Sequence, residues 1–414
     1  MSQPQPVRGT HDLLPEDFAR HAHVQNSARE VAARFGYAEM ATPIFEFTEV
    51  FARTMGESSD VVSKEMYSFE SRGGESMTLR PEYTAGICRS FISNGLQQQV
   101  PFKVFATGPM FRYERPQKGR QRQFHQIDVE CIGAAEPQAD IEVISLGAAI
   151  LKALGILDKC SLEINTLGDQ ESRQAYRAVL VEYFGDHKDS LSKDSLDRLE
   201  RNPLRILDSK DAGDRALVEK APLFTDYLNS FSSDFFAEVL DGLSLLGIGY
   251  HLNRRLVRGL DYYTHTAFEF VTTELGAQGA VIAGGRYDGL IEALGGKPTP
   301  GIGWAGGVER LAMLATGAIK EVRPLAIIPI GDAAETAAQK LAYSLRQDGH
   351  VIEMAFKGNL SKRMKRANKL NARAAILIGE DELARDACTF RDLDKGEQEE
   401  IALASLGSAL AALG

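Results

Sequence analysis

The sequence predicts a two-domain chain. A large, mostly antiparallel α+β domain carries a helical insertion, and a smaller α/β domain follows. Three observations carry that expectation. At 414 residues the chain exceeds one ordinary domain. Up to residue 322 it holds several runs with period-two alternation, interrupted at about 170–247 by a strongly charged helical stretch without strand signals. After Arg323-Pro324 strand and helix patterns alternate, as in a small α/β domain. The domains are therefore drawn at 1–322 and 325–414.

The elements follow in order. Phe18, His21, Val24, Ala28, Val31 and Phe35 recur at three- and four-residue spacing, which predicts a helix opened by Pro15 and ended by Gly36. "MATPIFEFTEVF" reads as extended, because Pro43 cannot sit inside a helix. "EMYSFESRGGESMTLRPE" reads as a β-hairpin around Arg72-Gly73-Gly74, and "YTAGICRSFISN" as a helix. Two strands flank a basic loop in "FRYERPQKGRQRQFHQIDVE", followed by a helix over 136–154 and the strand "CSLEINTLG". Strands return in "RGLDYYTHTAFEFVT" and "GAVIAGGRYDGL", and the helix "GVERLAMLA" closes the domain. The second domain reads "LAIIPI" (strand), 335–347 (helix), "HVIEMAF", the basic helix "LSKRMKRANKL", "AAILIG", "ACTFRDL" and a last Ala/Leu helix.

Composition is that of a soluble globular protein, with 44% apolar and 25% charged residues and a formal charge of −10. The apolar runs are too short to cross a bilayer. The N-terminal stretch shows no secretion-signal pattern, and the four cysteines form neither a CxxC pair nor a Cys/His cluster. A cytoplasmic protein without a metal site is expected.

"GIGWAG" matches the dinucleotide fingerprint literally, but no βαβ unit surrounds it. It reads instead as a glycine-rich strand against which something flat lies. In the charged hairpin, period two puts Gln126, Asp128 and Glu130 on one face and Ile127, Val129 and Cys131 on the other. With Arg112 this polar face is either a solvated hairpin surface or a floor where a guanidinium grips phosphate beside carboxylates that hold an amine. Glu82, before a helix, is either a first-turn charge or part of that floor. In the second domain Lys357, Lys362, Arg363, Lys365, Arg366, Lys369 and Arg373 occur with no acid from Met354 to Gly379, which suggests a solvated helix face or a phosphate-binding surface.

Taken together, "RGTHDLLP", "TLRPE", "FRYERPQKGRQRQFHQ", "RGLDYY", "AGGRYDGL", "GVERL" and "IGEDEL" resemble the histidyl-tRNA synthetases, class II aminoacyl-tRNA synthetases, over nearly the whole chain. The resemblance implies an antiparallel six-stranded catalytic sheet, a homodimer built through the segment around Pro43, and a C-terminal anticodon-binding domain. It implies a ligase that activates histidine with ATP, accompanied by Mg²⁺, and passes the histidyl group to the 3′ end of its tRNA. Arg112 and Arg258 would act at the α-phosphate and Arg310 on the ATP tail, with adenine against "GIGWAGG". Glu82, Thr84 and Gln126 would hold the α-amino group. Glu130 and Tyr263 would read the imidazole, with Tyr287 lining the pocket. Lys118, Arg120 and Arg122 would meet tRNA or ATP, and Lys362, Arg363, Lys365 and Arg366 would meet tRNA. The family's non-catalytic paralogue, a regulatory subunit of ATP phosphoribosyltransferase, is the alternative; it lacks the anticodon domain and the full reactive set. Tyr83 and Asp128 depart from the small or apolar residues common at those positions.

Overall fold

The structure, a computed structural model, describes residues 3–55, 61–257, 262–276, 279–316 and 322–413. The chain divides into two compact units, Met1–Ile319 and Lys320–Gly414.

In the first unit the strands are β1 (Ala38–Glu39), β2 (Phe45–Phe47), β3 (Tyr67–Glu70), β4 (Ser76–Leu79), β5 (Phe102–Phe111), β6 (Gln123–Ile132), β7 (Ser161–Thr166), β8 (Tyr250–Leu252), β9 (Thr264–Val271), β10 (Ala280–Arg286) and β11 (Gly301–Gly307). Eight of them form one sheet in the order β1-β5-β6-β11-β10-β9-β7-β8. Every pairing from β5 to β7 is antiparallel, and β1 and β8 add to the two edges in parallel. The expected six-stranded antiparallel sheet is thus the centre of an eight-stranded one. The edge strands are two and three residues long, too short for periodicity to reveal.

One face of this sheet is covered by helices Pro15–Arg34, Pro137–Ala153, Ser230–Leu245 and Val308–Leu314, packed on Phe105, Ile127, Val129, Phe268, Ile282 and Trp304. The Trp304 indole N–H donates to the Val143 carbonyl (2.9 Å), so the ring is both packed and satisfied. β2, β4 and β3 make a separate antiparallel sheet that contains the anticipated hairpin. The extended reading of "MATPIFEFTEVF" holds only to Phe47, because Thr48–Met55 is helical. Residues 170–227 fold as helices around their own core of Tyr176, Leu180, Phe184, Leu199, Ile206 and Phe224, whereas helix Ser230–Leu245, expected in the same insertion, packs on the large sheet.

In the second unit β12 (Leu325–Pro329), β13 (Ile352–Met354), β14 (Ala374–Ile378), β15 (Ala387–Asp392) and β16 (Gln398–Ala402) form a mixed sheet, order β13-β12-β14-β15-β16. The pairs flanking β12 are parallel and the last two antiparallel. β16, "QEEIA", reads as a polar surface segment and the sequence did not disclose it as a strand. Among the described residues no helix is long and apolar enough to cross a membrane.

Candidate active site

The face of the large sheet opposite its helices carries a cleft of about 670 Å³. Its floor follows from strand parity. On β6, Ile127, Val129 and Cys131 enter the helix-covered core. Gln126 lies in register with Gly108 and Gly307, Asp128 with Ala106 and Ala305, and Glu130 with Val104 and Gly303. Glycine or alanine flanks Gln126 and Asp128 on both neighbouring strands, which leaves room at that end of the floor.

Of the expected residues, Glu82, Thr84, Arg112, Arg120, Gln126, Tyr263, Tyr287 and Arg310 line this cleft together. The two arginines are aimed alike. Nε of Arg112 donates to the Pro81 carbonyl and Nε of Arg310 to that of Ala280, each at 2.9 Å. One edge of each guanidinium is thereby tethered to backbone. Burial and the nearby Arg120 lower the Arg310 pKa from its ordinary value. Glu114 joins the group, 3.1 Å from Arg120 and 3.9 Å from Arg112. Arg258 lies outside the described residues.

Glu82 serves both roles offered for it. Its carboxylate accepts the backbone N–H groups of Thr84 (2.7 Å) and Ala85 (2.9 Å) at the start of helix Thr84–Ser93, and it lines the cleft. Glu130 sits one layer deeper than expected. It is 1% exposed, and it accepts hydrogen bonds from the Thr84 hydroxyl (2.6 Å) and from the Tyr287 hydroxyl. The wall at that point is Thr84 and Tyr287, with Glu130 behind them. Burial pushes its carboxyl up to about 8, against the pull of those two donors. The Gln126 carboxamide oxygen and both Asp128 oxygens are buried and have no hydrogen-bond partner among the described residues.

The glycines of β11 are used differently from the expectation. A Cβ at Gly303 would collide with the Glu130 carboxylate, and one at Gly301 with the Tyr287 ring. The flat object against Gly301 is therefore the protein's own tyrosine. The other end of the strand, Ala305 and Gly307, faces the open cleft.

Tyr83 packs behind the site. Its ring lies 4.1 Å from the Arg80 guanidinium and its hydroxyl donates to the Thr107 carbonyl (3.0 Å). In the basic loop Lys118 is exposed, whereas Arg122 stacks on Tyr113 (3.8 Å) and donates to the Glu114 carbonyl (3.2 Å). Arg286 turns away from the cleft into a fully buried pair with Asp140. The cleft also draws on Arg205, Lys210, Asn253 and Arg255, from the inserted module and the turn that follows β8. No local motif marks them, since only the folding of the insertion brings them to the sheet. His21, His125 and Glu309 bring three ligand-type atoms within 4.8 Å of one another, but Glu309 already accepts both the backbone N–H (2.9 Å) and the ring Nδ1 (3.0 Å) of His125.

In the second unit Lys362 and Lys365 are exposed. Arg366 pairs with Glu353 (2.6 Å). Arg363, 7% exposed, points inward and donates to the Pro329 carbonyl (2.8 Å) and to Glu335 (2.6 Å). The expectation that this cluster has no counter-charge is corrected, because acids from other elements fold against it.

A central antiparallel sheet with an arginine- and carboxylate-lined cleft, joined to a separate α/β unit, defines a class II synthetase. Comparison with known proteins narrows this. Residues 9–311 match the sequence model of histidyl-tRNA synthetase and residues 325–413 that of the anticodon-binding domain. The chain is 61% identical to the histidine–tRNA ligase of Rhodospirillum rubrum, covering 99% of each, and 57% identical to that of Gluconacetobacter diazotrophicus, covering 100% of each. Among solved structures, apo histidyl-tRNA synthetase of S. aureus superposes with a TM-score of 0.83 at 37% identity over 98% of each chain. The chain belongs to the histidyl-tRNA synthetase family.

Proposed function

We propose that this protein is an ATP-dependent histidine–tRNA ligase whose two half-reactions run in the cleft on β6 and β11. The observation that carries this reading is the convergence of two aimed arginines, Arg112 and Arg310, with an acceptor-rich floor. The arginines suit a polyphosphate and the floor suits a small cation.

Phosphoryl-group chemistry of this kind needs positioning and charge neutralisation more than covalent help. In the first step a histidine carboxylate oxygen bonds to the α-phosphorus of ATP and pyrophosphate leaves with the broken P–O bond. Arg112 neutralises charge on the α-phosphate, Arg258 acts there too, and Arg310 holds the outer phosphates. Mg²⁺ accompanies those phosphates and neutralises their charge when bound. Hard oxygen donors suited to it, Glu114 and Glu269, line the cleft. Glu82, Thr84 and Gln126 hold the α-ammonium. Tyr263, Tyr287 and, behind it, Glu130 select imidazole, since a wrong side chain would leave buried polar groups unpaired. In the second step the terminal ribose hydroxyl of tRNA takes the histidyl group and AMP leaves. Lys118 and Arg120 guide the acceptor end, and Lys362, Lys365 and Arg366 meet the tRNA in the second unit. Arg122 and Arg363 serve those surfaces mainly by bracing them.

The protein acts in the cytoplasm as a homodimer. Ile44, Phe45, Phe47 and Phe69 are 42–52% exposed on the small sheet, an apolar patch suited to a second copy. The regulatory-subunit alternative is disfavoured by the match of residues 325–413 to an anticodon-binding domain. ATP–pyrophosphate exchange tests the reading. It should be stimulated by histidine and by no other standard amino acid, and Arg258→Ala should abolish it. Absence of exchange, with tight binding to a phosphoribosyltransferase, would reverse the assignment.

A further inference from the structure

Asp128 is the residue of the floor that the reading above leaves without work. It lies on the same face of β6 as Gln126 but, like Glu130, just beneath the lining of the cleft, to which its cross-strand partner Ala305 and Gln126 itself both belong. It is 1% exposed, yet neither of its oxygens has a hydrogen-bond partner among the described residues. The Gln126 carboxamide oxygen, one pleat away on that face, is orphaned in the same way. Its acidic neighbours are supplied. Glu82 holds two backbone N–H groups and Glu130 two hydroxyls. Three unfilled acceptor atoms therefore cluster beside two filled carboxylates, where the substrate's ammonium is to bind.

Buried polar atoms are almost always partnered, and a cluster of exceptions requires a reason. The cations nearest this group do not supply it. Arg80 turns Nε and Nη1 to the carbonyls of Pro109 and Thr42, each at 2.9 Å, Arg112 turns Nε to that of Pro81, and neither reaches an Asp128 oxygen with a hydrogen bond. Burial, together with Glu130 and Glu82, holds the Asp128 carboxyl well above the usual carboxylate range, against the opposing pull of Arg80 and Arg112. The group is thus an acceptor short of positive charge. An ammonium brings a full charge and N–H donors in several directions, which is what the cluster lacks.

We propose that Asp128 is a substrate-binding residue: with Gln126 it supplies the acceptors that take the α-ammonium of histidine. The inference rests on the assignment of the cleft to histidine. It adds a charged contact where a small residue at 128 would leave the task to Glu82, Thr84 and Gln126 alone.

The test uses two histidine analogues and calorimetric titration of the full-length protein. Histidinol keeps the amine and lacks the carboxylate; imidazolepropionate keeps the ring and carboxylate and lacks the amine. Asp128→Asn should weaken histidinol binding roughly ten- to hundredfold, the range for a hydrogen bond to a charged group, and leave imidazolepropionate within about twofold. Asp128→Gly, which removes the side chain, should give the same selective loss, and a cooperative melting transition well above the assay temperature shows that both variants fold. Equal weakening of both analogues would assign Asp128 a packing role, and unchanged histidinol binding would remove it from the site. Either outcome overturns the proposal while the cleft assignment stands. Failure of the unaltered protein to bind histidinol at all would overturn both.

Discussion

The cleft floor and the inserted helical module both bury an aspartate, and they treat it in opposite ways. Asp214, 0% exposed in the module, accepts the Ser192 N–H (2.8 Å) and the hydroxyls of Ser192 (2.7 Å), Ser195 (2.6 Å) and Ser209 (2.6 Å). Those donors hold its pKa below the ordinary carboxylate value despite burial. Asp128, equally buried in the floor, has no donor at all among the described residues. The difference teaches how to tell structural from functional polarity. A buried charge that is fully satisfied holds a fold together, whereas one left short of partners has a ligand to meet.

The comparison breaks most visibly at the arginines. Arg112→Ala should lower histidine-dependent ATP–pyrophosphate exchange about 10²–10³-fold, the usual effect of removing one charge-stabilising donor, with little change in melting temperature. A variant that unfolds instead would move Arg112 to the structural side. Next, Asp214→Ala should destabilise the protein by about 2–4 kcal/mol, because it strands several buried donors. Exchange per folded molecule should stay unchanged, and denaturant titration with an activity assay reads both.

The pH dependence should carry opposite signs in the two regions. Glu130 titrates at about 8 in the folded state against an ordinary 4.5, so the folded chain holds a proton that the unfolded chain has lost. Its contribution to stability therefore falls as pH rises from about 4.5 to about 8. Glu82 and Asp128 shift in the same direction. Asp214, shifted down, contributes above its ordinary 3.8 and loses that contribution as pH falls through its folded value. Glu130→Gln should flatten the alkaline loss in melts run between pH 5 and 8, and leave the acid side untouched. The smallest effect concerns Asp128. In the absence of substrate, Asp128→Asn should leave stability unchanged or raise it by up to about 1 kcal/mol at pH 8, since it removes an unpaired buried acid. A clear loss would show that the carboxylate has a partner in the fold.

Much of this was legible in the chain. Parity alone sorted Gln126, Asp128 and Glu130 from Ile127, Val129 and Cys131, because a strand's side chains alternate whatever surrounds them. The glycine-rich "GIGWAGG" was legible as a strand and not as a cofactor loop, because its neighbours lack a βαβ pattern. What was not legible is where distant chain segments meet. Glu335 and Glu353 neutralise Arg363 and Arg366 across 28 and 13 positions, so a window of sequence shows basic residues without their acids. The cleft contribution of Arg205 and Lys210 is hidden for the same reason.

The sequence by itself determined the architecture, the face on which the charged groups of β6 stand and the family to which the chain belongs. These depend on local periodicity and on motif residues read in order. Only the tertiary structure decided that Glu130 stands behind Thr84 and Tyr287, that Arg286 is buried against Asp140 instead of facing the cleft, and that Asp128 is buried without a partner. Whether a polar group is satisfied depends on donors brought from tens of residues away, and no local pattern records their arrival.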